Sequence, residues 1–252
     1  MTTAASVESK PLASSVKGQR RRVAIFADGA NMAQMLEAYR AGSVDGFTTN
    51  PTLMAKAGIS GYEAFGREVL AVIRDLPVSF EVFADDLDGM AAQARKLASW
   101  ADNVFVKIPI MNTTGDSTLP LVRELSSDGL KVNVTAIMTL DQVCEVVAAV
   151  DRQSPAICSI FAGRIADTGR DPMPYMREAV RICAAKPRLR VLWASPREVL
   201  NVYQAEECGC HIIAATPDLV AKLPLKDKDL TDFSRETVEM FFRDAKKAGL
   251  SL

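Results

Sequence analysis

From residue 23 onward the chain alternates between two patterns of apolar and polar positions. Short runs rich in β-branched and aromatic residues are each followed by a longer stretch with apolar residues at helical spacing, the order expected of βα units around a parallel sheet. Eight such runs stand out: Val23–Ala27, Val44–Thr48, Val78–Phe83, Val104–Ile108, Lys131–Ile137, Ala156–Phe161, Arg190–Ala194 and His211–Ala214. Eight units in so short a chain predict a closed (β/α)8 TIM barrel rather than a doubly wound open sheet, which usually needs fewer strands or longer insertions. A final helical stretch, Ser234 to Ala248, puts Val238, Phe241, Phe242 and Ala245 broadly on one side. It lies outside the repeat and is expected to cover the barrel or a neighbouring subunit. Residues 1–22, rich in Ser, Ala and Thr and ending in Arg20-Arg21-Arg22, read as a disordered tail, with a transit peptide as the lesser alternative. No composition break divides residues 23–252, which are expected to form one domain.

Composition narrows the chemistry. With 48% apolar and 24% charged residues in 252, the chain can bury a sizeable core. Thirty basic residues against 31 acidic ones leave a formal charge of -1, so no global field favours nucleic acid or an anionic membrane, and neither is expected as a partner. No apolar stretch reaches the ~18 residues of a membrane helix, and residues 1–22 show no apolar core of a secretory signal. The odd count of five cysteines among apolar neighbours reads as reduced thiols in a cytoplasmic protein. Cys208-Gly209-Cys210-His211 has soft metal ligands but no second cluster, and reads as helix-end and strand packing; no metal or other cofactor is expected. His211 is the one histidine, so acid-base work should fall to carboxylates, lysine or water.

In a TIM barrel the chemistry sits at the C-terminal strand ends, and polar residues collect there. Asp28 ends the first run, Asn50 follows the second, and Glu81 and Lys107 lie inside the third and fourth. Asn133 and Thr135 are in the fifth, Ser159 in the sixth with Arg164 after it, and Ser195 and Arg197 follow the seventh. Lys107 is the most informative. An ammonium within Val104-Phe105-Val106-Lys107-Ile108 would be desolvated, which favours the neutral amine, and a neutral amine attacks ketones to form a Schiff base. The plainer alternative is a lysine that reaches solvent or pairs with Glu81. Asp28 suits a general base or, alternatively, a helix cap ahead of Ala30-Asn31-Met32; Thr135 can hold a water against Glu81. Arg164, Ser195 and Arg197 suit a phosphate monoester, or else are two surface arginines and a helix cap preceding Pro196.

The strings Asp28-Gly29-Ala30-Asn31, Gly46-Phe47-Thr48-Thr49-Asn50-Pro51-Thr52, Ser79-Phe80-Glu81-Val82, Val106-Lys107-Ile108-Pro109, Asn133-Val134-Thr135, Ser159-Ile160-Phe161-Ala162-Gly163-Arg164-Ile165 and Ala194-Ser195-Pro196-Arg197 together resemble the transaldolase family, including its short fructose-6-phosphate aldolase branch. The resemblance implies a (β/α)8 barrel whose Lys107 forms a Schiff base with a ketose phosphate. It implies that Asp28 takes the proton of the hydroxyl on the cleaved carbon, that Glu81 and Thr135 hold the catalytic water, and that Asn50, Asn133, Ser159 and Phe161 bind the three-carbon unit. Arg164, Ser195 and Arg197 would hold phosphate. Transfer of the unit to an aldose phosphate, in the pentose phosphate pathway of carbohydrate metabolism, makes a transaldolase; its release makes an aldolase. By resemblance Glu81 and Phe161 look like transferases, whereas the length looks like the aldolase-containing branch. Gly29, Pro196 and the tail depart from the family pattern. The short branch often forms rings through its C-terminal helix, so a homo-oligomer is expected.

Two other readings follow from parts of the same sequence. Arg22 to Asn31 also resembles the opening of a metal-dependent PIN-like ribonuclease, which would need Asp28 to converge with acids such as Asp85, Asp86 and Asp88. A barrel that binds sugar phosphate without catalysis is the other.

Overall fold

The computed structural model describes residues 23–251; the predicted tail, residues 1–22, lies outside the described residues. Eight strands form a closed parallel barrel in sequence order, β1 (Ala24–Asp28), β2 (Gly46–Thr48), β3 (Val78–Glu81), β4 (Val104–Pro109), β5 (Val132–Ile137), β6 (Ala156–Ile160), β7 (Leu189–Trp193) and β8 (Ile212–Ala215). β8 closes on β1, with Ile25 opposite Ile213. Helices α1 (Met32–Arg40), α2 (Pro51–Lys56), α3 (Tyr62–Val72), α4 (Leu87–Ala98), α5 (Leu119–Ser127), α6 (Leu140–Ala149), α7 (Ala162–Asp167), α8 (Met173–Cys183), α9 (Leu200–Glu207) and α10 (Pro217–Ala221) surround it, and α11 (Leu230–Lys247) follows. The chain is thus a (β/α)8 TIM barrel with an additional C-terminal helix.

The period-two alternation along each strand sorts side chains into two cores. Val78 and Phe80, Val104, Val106 and Ile108, and Val132 and Val134 face the helices and belong to the larger core. Their neighbours in sequence face inward. The lower barrel interior is filled by Phe26, Ile157, Leu192, Ile212 and Ala214, with Phe105 packed against them. Above this apolar plug the same inward positions of β1, β3, β4 and β5 carry Asp28, Glu81, Lys107 and Asn133. The plug therefore forms the floor on which a polar site stands.

Several local expectations are corrected by the structure. The predicted strand Val44–Thr48 begins only at Gly46, because the Asp45 carboxylate accepts the Ile25 N–H at 2.9 Å and takes the place of a backbone partner. Ser195 does not cap a helix: its φ of 60° turns the chain into the left-handed region, and α9 starts at Leu200. Asp28 is not a cap either, since Asn31 caps α1 by accepting from Gln34 N at 3.1 Å. The C-terminal helix starts four residues before Ser234, where Asp229 accepts from the backbone N–H groups of Thr231 and Asp232. Val238, Phe241 and Phe242 on it are exposed. His211 lies just before β8, and its Nδ1 accepts the Val191 N–H at 3.0 Å, extending a seam in which β7 and β8 share only two register pairs. Burial lowers its pKa, so the neutral ring is the form that completes this bond.

Gly46 is required by packing. A Cβ there would lie 2.7 Å from two ring carbons of Phe26, which is part of the interior plug. Gly46→Ala is therefore expected to destabilise the barrel by about 1–3 kcal/mol. A lower urea midpoint with an unchanged m-value checks this; an unchanged midpoint would show that the plug can yield.

Candidate active site

Glu81, Lys107 and Asn133 are successive partners across the β3–β4–β5 ladder, so three inward side chains stand at one level. The Lys107 ammonium is buried, and two acceptors hold it: Glu81 Oε2 at 3.0 Å and the Thr49 carbonyl at 3.1 Å. A charge removed from water in this way needs such partners, and of the two alternatives left open for Lys107 the structure shows pairing with Glu81. Asp28 lies opposite Thr48, whose hydroxyl donates to Asp28 Oδ1 at 2.7 Å. Burial pushes the Asp28 carboxyl above its ordinary value, opposed by the attraction of Lys107 and the Thr48 hydrogen bond and assisted by repulsion from Glu81.

The barrel mouth above these groups is a cavity of about 420 Å³. Asp28, Asn50, Glu81, Lys107, Thr135, Ser159, Phe161, Arg164 and Ser195, all expected from sequence, line it together with Thr48, Ala136 and Leu192. Asn50 also caps α2, accepting from Leu53 N at 2.9 Å. Two expected residues are not among the lining ones. Asn133 is fully buried beneath, where Ser159 Oγ donates to its Oδ1 at 2.6 Å and its Nδ2 donates to Ser79 Oγ at 3.1 Å. Arg197 is turned aside and forks onto the Asp167 carboxylate, Nε to Oδ1 at 3.0 Å and Nη2 to Oδ2.

Two of the three described non-glycine residues with left-handed backbone, Ala136 and Ser195, stand at the rim. Ala136 has φ 62° where β5 carries an extra residue against β6, with Val134 opposite Cys158 but Ile137 opposite Ile160. This bulge follows Thr135, whose hydroxyl is buried without a protein hydrogen-bond partner. Across the mouth, the left-handed Ser195 brings its carbonyl so near α7 that a Cβ on Gly163 would lie 1.6 Å from it. Only glycine fits there. Arg164, one residue on, stacks over the Phe161 ring at 5.8 Å.

A profile of the Transaldolase/Fructose-6-phosphate aldolase family matches residues 25–252. The chain belongs to that family. Among similar proteins of this family, a probable transaldolase from Thermoanaerobacter sp. is 36% identical over 228 residues, spanning 90% of this chain and 99% of its own. One from Hyphomonas neptunium is 35% identical over 231 residues, with the same coverage of 90% and 99%. One from Methanococcus maripaludis is 37% identical over 212 residues, 82% of this chain and 94% of its own. In shape the chain resembles dihydrodipicolinate synthase from Rhodopseudomonas palustris, with a TM-score of 0.54, 16% identity, and coverage of 88% of this chain and 79% of that one. That likeness concerns the barrel alone.

For a transaldolase-family chain, the acids of the ribonuclease alternative find ordinary employment. Asp85 accepts from Thr113 N at 2.8 Å and from its hydroxyl, and Asp86 caps α4. Among the described residues no group of three His, Cys, Asp or Glu is arranged to hold a metal. Nor is any described helix long and apolar enough to cross a membrane. Sequence reasoning missed Thr48, Thr49, Ser79 and Tyr62. The first three were within the quoted strings but have no charge to mark them; Tyr62 lay in a helix.

The raised pKa of Asp28 predicts a trade of stability for chemistry. Above the ordinary aspartate value the unfolded chain ionises Asp28 freely whereas burial resists that ionisation in the folded chain, so Asp28→Asn should melt higher than the parent at pH 7. The difference should shrink as the pH falls towards 3.8, where the unfolded carboxyl also protonates. Thermal unfolding from pH 3 to 8 measures this, and a variant less stable at neutral pH would contradict the assigned cause.

Proposed function

We propose that this family member is a transaldolase that moves a dihydroxyacetone unit from a ketose phosphate, such as fructose 6-phosphate or sedoheptulose 7-phosphate, to an aldose phosphate through a Schiff base on Lys107. The observation that carries the reading is a buried amine on the cavity floor, hydrogen-bonded to one carboxylate and attracted by a second. Attack on a ketone requires Nζ to lose a proton, and Glu81 at 3.0 Å is in reach to take it. The amine adds to the carbonyl carbon, water leaves, and the cationic imine draws electrons from the adjacent C–C bond. Asp28 takes the proton of the hydroxyl on the departing carbon, so that carbon leaves as an aldehyde and the three-carbon unit stays on Lys107 as an enamine.

Thr135 supports a water in this scheme. Its hydroxyl is buried and lacks a protein partner, and Glu81 lines the same cavity. A water held between them serves dehydration and later hydrolysis. Asn50 and Ser159 bind the three-carbon unit, with Asn133 orienting Ser159 from below, and Phe161 covers it. Arg164 and Ser195 receive the phosphate, and Arg197 joins them by exchanging Asp167 for it. The transferase reading, rather than release of the unit, is supported by Glu81 and Phe161 and by the names of the relatives. No step needs a cofactor. A cytoplasmic place in the pentose phosphate pathway and a homo-oligomer joined through the apolar side of α11 complete the reading.

Borohydride added with fructose 6-phosphate should fix a mass-detectable adduct on Lys107, and Lys107→Met should lose it. An adduct on another lysine would overturn the mechanism. Asp28→Asn should lower kcat about 10²–10⁴-fold. Adding erythrose 4-phosphate should divert the three-carbon unit into sedoheptulose 7-phosphate; release of free dihydroxyacetone that dominates even then would favour the aldolase. Arg164→Ala should raise KM for phosphorylated substrates by about tenfold or more while leaving unphosphorylated analogues little changed. Equal losses for both would remove the phosphate assignment.

A further inference from the structure

We propose that Tyr62, the first residue of α3, is a positioning residue for the lysine chemistry, its hydroxyl standing in for a missing piece of β2 beside Glu81. The proposal rests on the roles given above to Glu81 and Lys107. In a parallel sheet the N–H and C=O of one residue point to the same neighbouring strand. For Glu81 that neighbour would be β2. But β2 ends at Thr48, paired with Ser79, and the chain then turns at Asn50 into α2. Beyond Ser79, β3 has no strand on that side.

The Tyr62 hydroxyl fills the gap. It donates to the Glu81 carbonyl and accepts from the Glu81 N–H, both at 2.8 Å. One phenol thus satisfies the two backbone groups that β2 leaves open. The Thr49 hydroxyl, which donates to the Ser79 carbonyl at 3.2 Å, is a close polar neighbour of the same phenol. Thr49 and Glu81 supply the two oxygens that hold the Lys107 ammonium. Tyr62 therefore touches both residues that aim the amine, while touching none of the reacting atoms itself.

The phenol is held firmly. Its ring meets Phe80 edge-on at 6.1 Å and Phe83 at 5.6 Å, and Trp100 lies 5.9 Å away. Trp100 fits because residue 66 is glycine, where a Cβ would fall 2.3 Å from the indole. Phe80 on β3, Phe83 just after it and Trp100 just past α4 thus wedge the Tyr62 ring so that a single hydroxyl from α3 presses against the open edge of β3. The bond donated to the Glu81 carbonyl depends on a protonated phenol, and burial pushes its pKa up, which keeps that donor in place through the neutral range.

Tyr62→Phe keeps the ring and removes the hydroxyl. We expect kcat to fall by about ten- to a hundredfold, KM for fructose 6-phosphate to stay within about twofold, and the pH profile of kcat to shift as Glu81 loses its fixed position. Trp100→Phe loosens the same wedge without touching Glu81 and should lower the melting temperature with kcat retained. If Tyr62→Phe does not fold, 3,5-difluorotyrosine at position 62 carries the test. It preserves both hydrogen bonds but ionises at lower pH, so kcat should be retained near neutrality and its basic limb should move to lower pH. An unchanged kcat and profile in Tyr62→Phe, or an unmoved basic limb in the fluorinated protein, would overturn the positioning role. Absence of a borohydride adduct on Lys107 in the unaltered protein would overturn the lysine chemistry itself, and the positioning role with it.

Discussion

An ammonium group inside a barrel is tolerated only where oxygen surrounds it, and the burial of Lys107 is the constraint on which the site depends. A cation removed from water costs several kcal/mol unless compensated. Here compensation comes from the Glu81 carboxylate, one strand away in register, and from the Thr49 carbonyl, which is free to accept because β2 ends at Thr48. The shortness of β2 is thus part of the arrangement around the lysine. It opens the carbonyl to Nζ, and it also leaves the upper end of β3 without a strand partner.

The second carboxylate adds a tension of its own. Asp28 is drawn towards ionisation by Lys107 and Thr48 and away from it by burial and Glu81, and burial prevails. A carboxyl whose ionisation is made harder is a stronger base once ionised, which suits proton removal from an alcohol. The two acids flanking one lysine are therefore unlike. Glu81 is ion-paired to Nζ directly, whereas Asp28 is held by a hydroxyl and stands further along the cavity.

Much of this was legible in the chain because a barrel strand encodes its own facing. The alternation Val104-Phe105-Val106-Lys107-Ile108 assigns Lys107 to the interior without any knowledge of its neighbours, and likewise Glu81 between Phe80 and Val82. What the sequence concealed depends on backbone partners. That Asp45 would shorten β2, that Ser195 would adopt a left-handed turn and leave α9 without a side-chain cap, and that Arg197 would fork onto Asp167 are outcomes of tertiary contact. Tyr62 was hidden for a related reason. Its role follows from a gap between two strands, and no pattern within α3 announces a gap elsewhere. Asn133 shows an intermediate case: it faces inward as its position demands, yet Ser79 and Ser159 claim its amide and draw it below the cavity.

The lone histidine, set aside for catalysis, acquires a different use. Its imidazole joins β7 to the start of β8 at the end of the barrel away from the cavity, within a seam that has only two paired residues on each strand. Because no other imidazole is present in the sequence, its ring protons give an isolated resonance in a magnetic-resonance spectrum. That signal reports how well the cylinder is closed, read from the side opposite the chemistry and undisturbed by any titrating group of the same kind.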